Sequence, residues 1–269
     1  ELTREAVFEA LRNRRTYGVT GDRIRLGFTL NGHVMGQEIP FVRERNLAVQ
    51  ATGWDSIERV EVLRNNEVIH RDFPMDRKTA ASPWRKPVLV RIELGWGPWA
   101  SLEIPRVCDW EADIELRGGQ ILEYQPCFQS GPLDEKRRNR VSSVSDAGLQ
   151  ITSYTSRKQA FAESPTNAVV LRIQGNAETS IEVKLSKPSL QSVKKNFSEL
   201  ARSNQVTFTG PFPDESLIVH RPVMEANAST SFSFTNEGTG NSADWYYVRV
   251  VQANGQMAWS SPIWVEKRA

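Results

Sequence analysis

Residues 245–265 read WYYVRVVQANGQMAWSSPIWV and decide the fold. Two runs rich in aromatic and β-branched residues, 245–252 and 257–265, lie on either side of Asn254 and Gly255. Residues of these types favour strands. An Asn-Gly pair adopts the positive φ angles that a two-residue hairpin turn requires. The segment therefore predicts one long β-hairpin.

Strand signals recur upstream of this hairpin. Apolar residues alternate with polar or small residues along 24–30, 59–64 and 88–94. The second run is followed by a turn at Asn65-Asn66 before Val68, which predicts a hairpin. A period of two places successive side chains on opposite faces of a strand. Further strand-like runs lie at 102–107, 112–116, 121–124, 149–154, 168–173 and 181–185. Many short strands separated by turn residues favour an antiparallel sandwich over alternating helices and strands.

Two segments have helical spacing instead. Thr3 suits the N-cap of a first helix, whose apolar stripe comprises Val7, Phe8 and Leu11. A single short amphipathic helix has to bury its stripe against something, and we expect that partner to lie outside this stretch of chain. The second segment, 189–202, has apolar residues at 190, 193, 197 and 200, which predicts another helix.

Size and composition set broad limits on function. A chain of 269 residues is long for one domain, so two domains or one elaborated sandwich are expected. A formal net charge of +2 argues against nucleic acid or membrane as a partner. The only dense basic stretch, 136–140, follows Asp134 and Glu135 and is interpreted as a solvated loop. The chain starts with Glu1 rather than Met, so we expect the natural N-terminus to lie further upstream.

Residues that carry chemistry are sparse and scattered. His33, His70 and His220 are isolated, and no His-x-His, His-Glu-x-x-His or Gly-x-Ser-x-Gly motif occurs. Cys108 and Cys127 can pair in an oxidising compartment, but two thiols define no disulfide framework, and reduced thiols are favoured. The sequence therefore predicts no catalytic residue and no metal site within the chain.

Tryptophan supplies the one candidate for ligand binding. A platform on which a sugar ring stacks can be formed by Trp96, Trp99, Trp110, Trp245, Trp259 and Trp264, and the candidate stacking residues are the first three. Packing in the core is the competing interpretation, and it is favoured for most of the tryptophans. A carbohydrate-binding or other ligand-binding accessory module is accordingly the alternative function.

The two ends of the chain carry a family resemblance. Residues 3–11 are followed by Arg14-Arg15-Thr16-Tyr17-Gly18-Val19-Thr20-Gly21-Asp22-Arg23-Ile24, and the chain ends with 244–250 and 255–265. These segments, with 57–64 between them, resemble the region after the catalytic barrel in a bacterial branch of the PHP (polymerase and histidinol phosphatase) superfamily. Gly18 and Val19 depart from the usual Ala and Thr. Residues 99–203 have no such match.

The resemblance implies a catalytic barrel upstream. Its His and Asp side chains would hold divalent metals, Mn, Zn or Fe, for hydrolysis of phosphate or related esters. None of those ligands matches a position in this chain. The chain is then a non-catalytic C-terminal region that covers or supports the barrel, and its partner is its own N-terminal catalytic domain. Many proteins of this type are exported, which favours a periplasmic or secreted location.

The motif nearest to the implied barrel contains Tyr17, Thr20, Asp22 and Arg23. These residues either touch the substrate or join the domains, and joining is the favoured interpretation. The predicted fold class is all-β: an immunoglobulin-like antiparallel sandwich with an inserted second β unit and one N-terminal helix. The predicted domains are a remnant helix and linker at 1–19, a sandwich at 20–97 and 205–267, and an inserted unit at 98–204. The oligomeric state stays open.

Overall fold

The computed structural model describes residues 2–76, 83–97, 108–128, 138–155, 166–212 and 214–267. Within these ranges the fold is all-β, with one helix longer than a single turn, α1 (Arg4–Arg12), and a one-turn helix, α2 (Phe197–Leu200). The prediction of an all-β sandwich fold with an N-terminal helix is confirmed. The strands are β1 (Tyr17–Val19), β2 (Arg25–Leu30), β3 (His33–Val34), β4 (Glu38–Pro40), β5 (Glu44–Thr52), β6 (Ile57–Arg64), β7 (Glu67–Asp72), β8 (Val88–Trp96), β9 (Asp109–Arg117), β10 (Gln120–Cys127), β11 (Arg140–Ser142), β12 (Gly148–Tyr154), β13 (Asn167–Gln174), β14 (Ser180–Lys187), β15 (Gln191–Asn196), β16 (Gln205–Phe208), β17 (Ser216–Val219), β18 (Val223–Met224), β19 (Ser229–Glu237), β20 (Ala243–Gln252), β21 (Met257–Ser260) and β22 (Ile263–Glu266).

The chain divides into two compact units. Unit 1 contains Glu1–Thr79 and Ala226–Ala269, and unit 2 contains Ala80–Glu225. The sequence placed 80–97 and 205–225 in the first sandwich, and strand pairing corrects this. β8 pairs with β13 and β17, and β16 pairs with β17, so all of these strands belong to unit 2.

Unit 1 is a two-sheet sandwich. Sheet A contains β7, β6 and β20 in that order, followed by β21 and β22, which both pair with the other edge of β20. β1 extends sheet A beside β21, and β4 pairs in parallel with β22. Sheet B has the order β19-β5-β2-β3. Sheet B thus contains the first, second and fifth long strands of unit 1, namely β2, β5 and β19, and sheet A contains the other long strands. This is the immunoglobulin-like arrangement.

The core of unit 1 follows from the alternation of side chains. Along β20, Tyr246, Val248 and Val250 are fully buried, and they meet Leu47 and Val49 of β5 in one cluster. The predicted hairpin is formed by β20 and β21, and Gly255 in its turn has a φ of +81°. Glycine adopts positive φ without steric cost. Asn254 does not have a positive φ, so the hairpin forms as predicted but its turn is not the two-residue type that needs positive φ at both residues.

Unit 2 is built from two further sheets around its own core. Sheet C has the order β10-β13-β8-β17-β16, with β18 beside β8, and sheet D has the order β11-β12-β9-β14-β15. Apolar residues of both sheets form one cluster, to which α2 contributes Phe197 and Leu200. The predicted strand 102–107 lies outside the described residues.

The predicted helix at 189–202 is wrong over most of its length. Residues 191–196 form β15, which pairs with β14 from Leu185↔Gln191 to Ser180↔Asn196. Of the four apolar residues that suggested the helix, Leu190 is exposed and Val193 is only partly buried. Phe197 and Leu200 are buried by the single turn of α2, whose start has a capping box between Asn196 and Glu199.

Candidate functional site: a docking face on unit 1

The helix α1 presents an apolar stripe that its own unit leaves uncovered. The Oγ1 of Thr3 caps it by accepting a hydrogen bond from the backbone N–H of Ala6, as the sequence predicts. None of the residues of Arg4–Arg12 is buried. Phe8 and Leu11 are 52% and 57% exposed, and Val7 is exposed as well. A helix of this kind is typical of a segment that meets a partner.

The segment after α1 is fixed firmly to unit 1. Arg14 donates hydrogen bonds to the carbonyl oxygen of Gly36 at 3.0 Å and to Glu38 at 2.8 Å. Its guanidinium carbon lies 5.3 Å from the centre of the Trp264 ring, within cation–π range. Gly36 has a φ of +90°, and a Cβ there would lie 2.3 Å from the carbonyl oxygen of Arg14. Only glycine allows this close approach.

Two residues of the predicted barrel-proximal motif continue this attachment. Tyr17 lies in β1 opposite Ser260, with its side chain exposed. The Oγ1 of Thr20 donates to Gln256 at 2.6 Å and accepts from the backbone N–H of Met257 at 2.9 Å. Both residues therefore lie along the C-terminal hairpin.

Asp22, the third motif residue, is a buried carboxylate that holds the hairpin turn. One of its oxygens accepts hydrogen bonds from Nε2 of Gln252 and Nδ2 of Asn254, both at 2.8 Å. The fourth residue, Arg23, contributes its carbonyl oxygen, which accepts from Nε1 of Trp54 at 3.1 Å. These contacts join the two ends of the chain that carry the family resemblance, and they hold the segment that follows α1 in place.

The outer surface of sheet A is built largely from aromatic and arginine side chains. Trp245, Tyr247 and Arg249 alternate along β20 with the buried core residues and point away from the core. Trp259 lies opposite Arg249, and Trp264 lies opposite Trp245. All five are partly buried. We call these five residues the aromatic face.

A single glutamate organises the arginines beside this face. The side chain of Glu61 is 3% exposed, and its carboxylate contacts Arg249 at 2.7 Å, Arg71 at 3.0 Å and Arg59 at 3.6 Å. Burial alone would raise the pKa of Glu61, but the hydrogen bonds from Arg71 and Arg249 outweigh it and lower the pKa. The ionised glutamate therefore keeps three guanidinium groups together.

A buried ion pair joins the two sheets of unit 1. Arg45 of β5 and Asp244 of β20 have fully buried side chains whose Nη1 and Oδ2 atoms lie 2.5 Å apart. Burial by itself raises the pKa of Asp244, yet hydrogen bonds from Thr239, Arg45 and Asn65 outweigh it and lower the pKa to about 2. The same Nη1 also donates to the hydroxyl of Tyr246 at 2.6 Å. The pair fixes β20, and with it the aromatic face, against sheet B.

Of the three predicted stacking residues, Trp110 does not face solvent. Trp110 is wholly buried in the core of unit 2, and its Nε1 donates to Thr155 at 3.0 Å and to Glu215 at 3.3 Å. Its ring offers no face to a ligand, which corrects that part of the prediction. Trp99 lies outside the described residues. Trp96 is 44% exposed at the end of β8.

Trp96 lies near a second exposed aromatic residue, Phe208, which the sequence did not indicate. Trp96 lies opposite Ser216, and Ser216 lies opposite Phe208 on the next strand. Residues opposite each other in an antiparallel sheet share a face, so two exposed rings flank one serine. The sequence did not indicate this grouping because Trp96 is far from Phe208 and Ser216 along the chain.

Groups that bind metals remain dispersed across the described residues. No cluster of three or more His, Cys, Asp or Glu side chains suited to a metal ion occurs in those ranges. His220, which the sequence shows as isolated, lies 2.7 Å from Glu93, a contact between residues 127 positions apart. Cys108 packs against the core of unit 2, and Cys127 is buried. Of the helices in the described part of the chain, none is both long and apolar enough to cross a membrane.

The chain has bacterial relatives whose functions are not characterised. No family model matches it. Over 80 residues it is 36%, 30% and 28% identical to uncharacterised proteins of Chlamydia pneumoniae, Chlamydia trachomatis serovar D and Chlamydia muridarum. In each case the matched stretch is 28% of this chain and 13% of the relative. The chain thus corresponds to a small part of the length of these relatives.

Proposed function

We propose that this chain is a non-catalytic accessory β region of a longer bacterial protein, and that α1 docks it against the catalytic domain. The longer protein is a PHP-type metal-dependent hydrolase of phosphate or related esters. In this proposal the catalytic domain binds the divalent metals. The observation that carries the proposal is the uncovered apolar stripe of α1 on a rigidly attached segment.

The geometry of α1 supports a docking role. Isolated helices shorter than about 12–15 residues are marginal in water, and α1 has nine. Its anchors Val7, Phe8 and Leu11 have the spacing of a helix that inserts into an apolar groove. Because Arg14, Thr20 and Asp22 fix the segment behind it, little orientational freedom is lost when a partner binds.

Two further observations support the identity of the partner. Residues 3–24 resemble the segment that follows a catalytic barrel, so the barrel would lie directly before α1. The Chlamydia relatives are several times longer than the stretch they share with this chain, which is consistent with additional domains.

The intact protein, expressed from the complete open reading frame, provides the test. Hydrolysis of p-nitrophenyl phosphate with added Mn²⁺ should occur with the intact protein and not with the 269-residue chain. Amide hydrogen exchange in α1 should be at least roughly tenfold slower in the intact protein, because docking suppresses local opening. Phe8→Ala combined with Leu11→Ala should abolish that protection.

A control on the same helix separates docking from helix stability. Glu5→Gln changes a residue off the apolar stripe and should leave the exchange protection of α1 intact. Equal exchange of α1 in the intact protein and the isolated chain would contradict the docking proposal. Hydrolysis by the isolated chain would contradict its non-catalytic role.

Carbohydrate binding is a second candidate, and one observation favours it. Trp96 and Phe208, 44% and 64% exposed, flank Ser216 on one face of sheet C. Aromatic faces stack on the apolar faces of sugar rings. An array of immobilised oligosaccharides tests this. Binding that is lost with Trp96→Ala and retained with Leu122→Ala, a similarly exposed residue of sheet C, would establish it; no binding would remove it.

A further inference from the structure

The outward side chains of sheet A differ from those of a solvated sheet. An antiparallel sheet that packs on one core and faces water on the other side normally presents polar residues outward. Sheet B obeys this rule with residues such as Gln50, Ser231 and Ser233, all exposed. Sheet A instead presents the aromatic face, although its core side is complete without those residues.

The composition of the aromatic face is that of a protein interface. Trp, Tyr and Arg are the residues most enriched among those that dominate binding energy, and they work best in a centre from which water is excluded. Arg249 lies between Trp259 and Glu61, so its guanidinium is already positioned before any partner arrives. A pre-organised side chain loses little entropy on binding.

The aromatic face is continuous with the attachment of α1. Arg14, two residues beyond the end of the helix, lies over the ring of Trp264. Glu38, its ion-pair partner, lies opposite Trp264 in the parallel pair of β4 and β22. A partner that covers α1 therefore has a direct path onto the aromatic face.

We propose that the aromatic face is a second part of the docking surface and is covered by the same catalytic domain that covers α1. The inference rests on the proposed function, because the proposed function identifies the catalytic domain as the partner that covers the face. Arg249 and Trp259 lie at the centre of the face, and Arg71, with a side chain 53% exposed, lies at its rim. The complementary surface is apolar at its centre, with carboxylates that reach Arg14 and Arg71 at its edge.

Hydroxyl-radical footprinting read by mass spectrometry tests the inference on the intact protein and on the 269-residue chain. Oxidation of Trp245, Trp259 and Trp264 should be at least fivefold slower in the intact protein. In the intact protein, Trp259→Glu should restore oxidation of Trp245 and Trp264. Ser233→Glu, the matched change on the outer surface of sheet B, should not.

The outcomes separate the inference from the proposed function. Protection of α1 from exchange, without protection of the three tryptophans from oxidation, overturns the inference and leaves the proposed function standing. If neither is protected, both fall. Protection of the tryptophans alone contradicts docking through α1 and also overturns the inference of one continuous surface.

Discussion

The two sheets of unit 1 share one core but have different outer surfaces. On sheet B, β5 alternates between buried and exposed residues, and β19 alternates between exposed residues such as Ser231 and partly buried ones such as Phe232. On sheet A, β20 has the same inward pattern, yet its outward residues are aromatic or charged and partly buried. Core formation constrains only the inward positions. The outward positions are thus where the two sheets can differ in function.

The first prediction removes the ion pair that joins the two sheets. Asp244→Ala leaves the guanidinium of Arg45 buried without its counter-charge. Loss of one partner of a buried ion pair costs roughly 3–5 kcal/mol. We therefore expect the free energy of unfolding of unit 1 to fall by about that amount. Urea unfolding followed by tryptophan fluorescence measures it, and an unchanged midpoint would show that the pair does not join the sheets.

The same pair predicts a dependence of stability on pH. The pKa of Asp244 is lowered from 3.8 to about 2 in the folded state. A lowered pKa contributes stability above the unfolded value, and this contribution is lost as the pH falls through the folded value. Unit 1 should lose stability between about pH 4 and pH 2, and the loss should be smaller for Asp244→Asn. Thermal unfolding at a series of pH values provides the measurement.

The second prediction concerns the hydrogen bonds of Asp22, which hold the segment after α1 to the C-terminal hairpin. Asp22→Ala removes an acceptor of the buried Nε2 of Gln252, and an unsatisfied buried donor costs about 1–3 kcal/mol. Hydrogen exchange should become faster in β1 and in the hairpin turn. It should stay unchanged in β5 and β19 of sheet B, because Asp22 bonds to the other sheet. Equal acceleration in both sheets would mean that Asp22 acts on the whole core.

The third prediction compares the two outer surfaces directly. Trp264→Ala removes partly buried ring area, worth ~25 cal/mol per Å², and the contact with Arg14. The expected loss is about 1–2 kcal/mol in the isolated chain. Gln50→Ala, on the outer surface of sheet B, should change the free energy of unfolding by less than about 0.5 kcal/mol. Similar losses in urea unfolding would remove the distinction between the surfaces.

Local patterns predicted most of the strands and failed on their grouping. Alternation located β2, β6, β8 and the final hairpin, because the period of side-chain burial is a local property. The division between the units depends on which strands pair, and Val219↔Ile92 joins residues far apart in sequence. The helix prediction at 189–202 failed because a short strand followed by one turn places Val193, Phe197 and Leu200 at a spacing that also fits a helix.

The candidate site was predictable only in part. The exposed stripe of α1 followed from spacing and capping, and the structure places it as expected. The roles of Thr20 and Asp22 could not be predicted from spacing, because their partners lie more than 200 positions away in the C-terminal hairpin. The arginines around Glu61 were missed because they lie on three strands: Arg59 in β6, Arg71 in β7 and Arg249 in β20. Charge counts along the sequence do not show such convergence.

The smallest expected effect tests whether α1 belongs to the folded unit or to its partner. Thr3→Ala removes the N-cap of α1, a change that costs a helix about 0.5–2 kcal/mol. Because α1 buries none of its residues in the isolated chain, the midpoint of unit 1 unfolding should not move, and only the far-ultraviolet circular dichroism of the short helix should weaken. In the intact protein the same change should accelerate exchange throughout α1, because docking there depends on the helix. A lowered unfolding midpoint in the isolated chain would show that α1 already stabilises unit 1 without a partner.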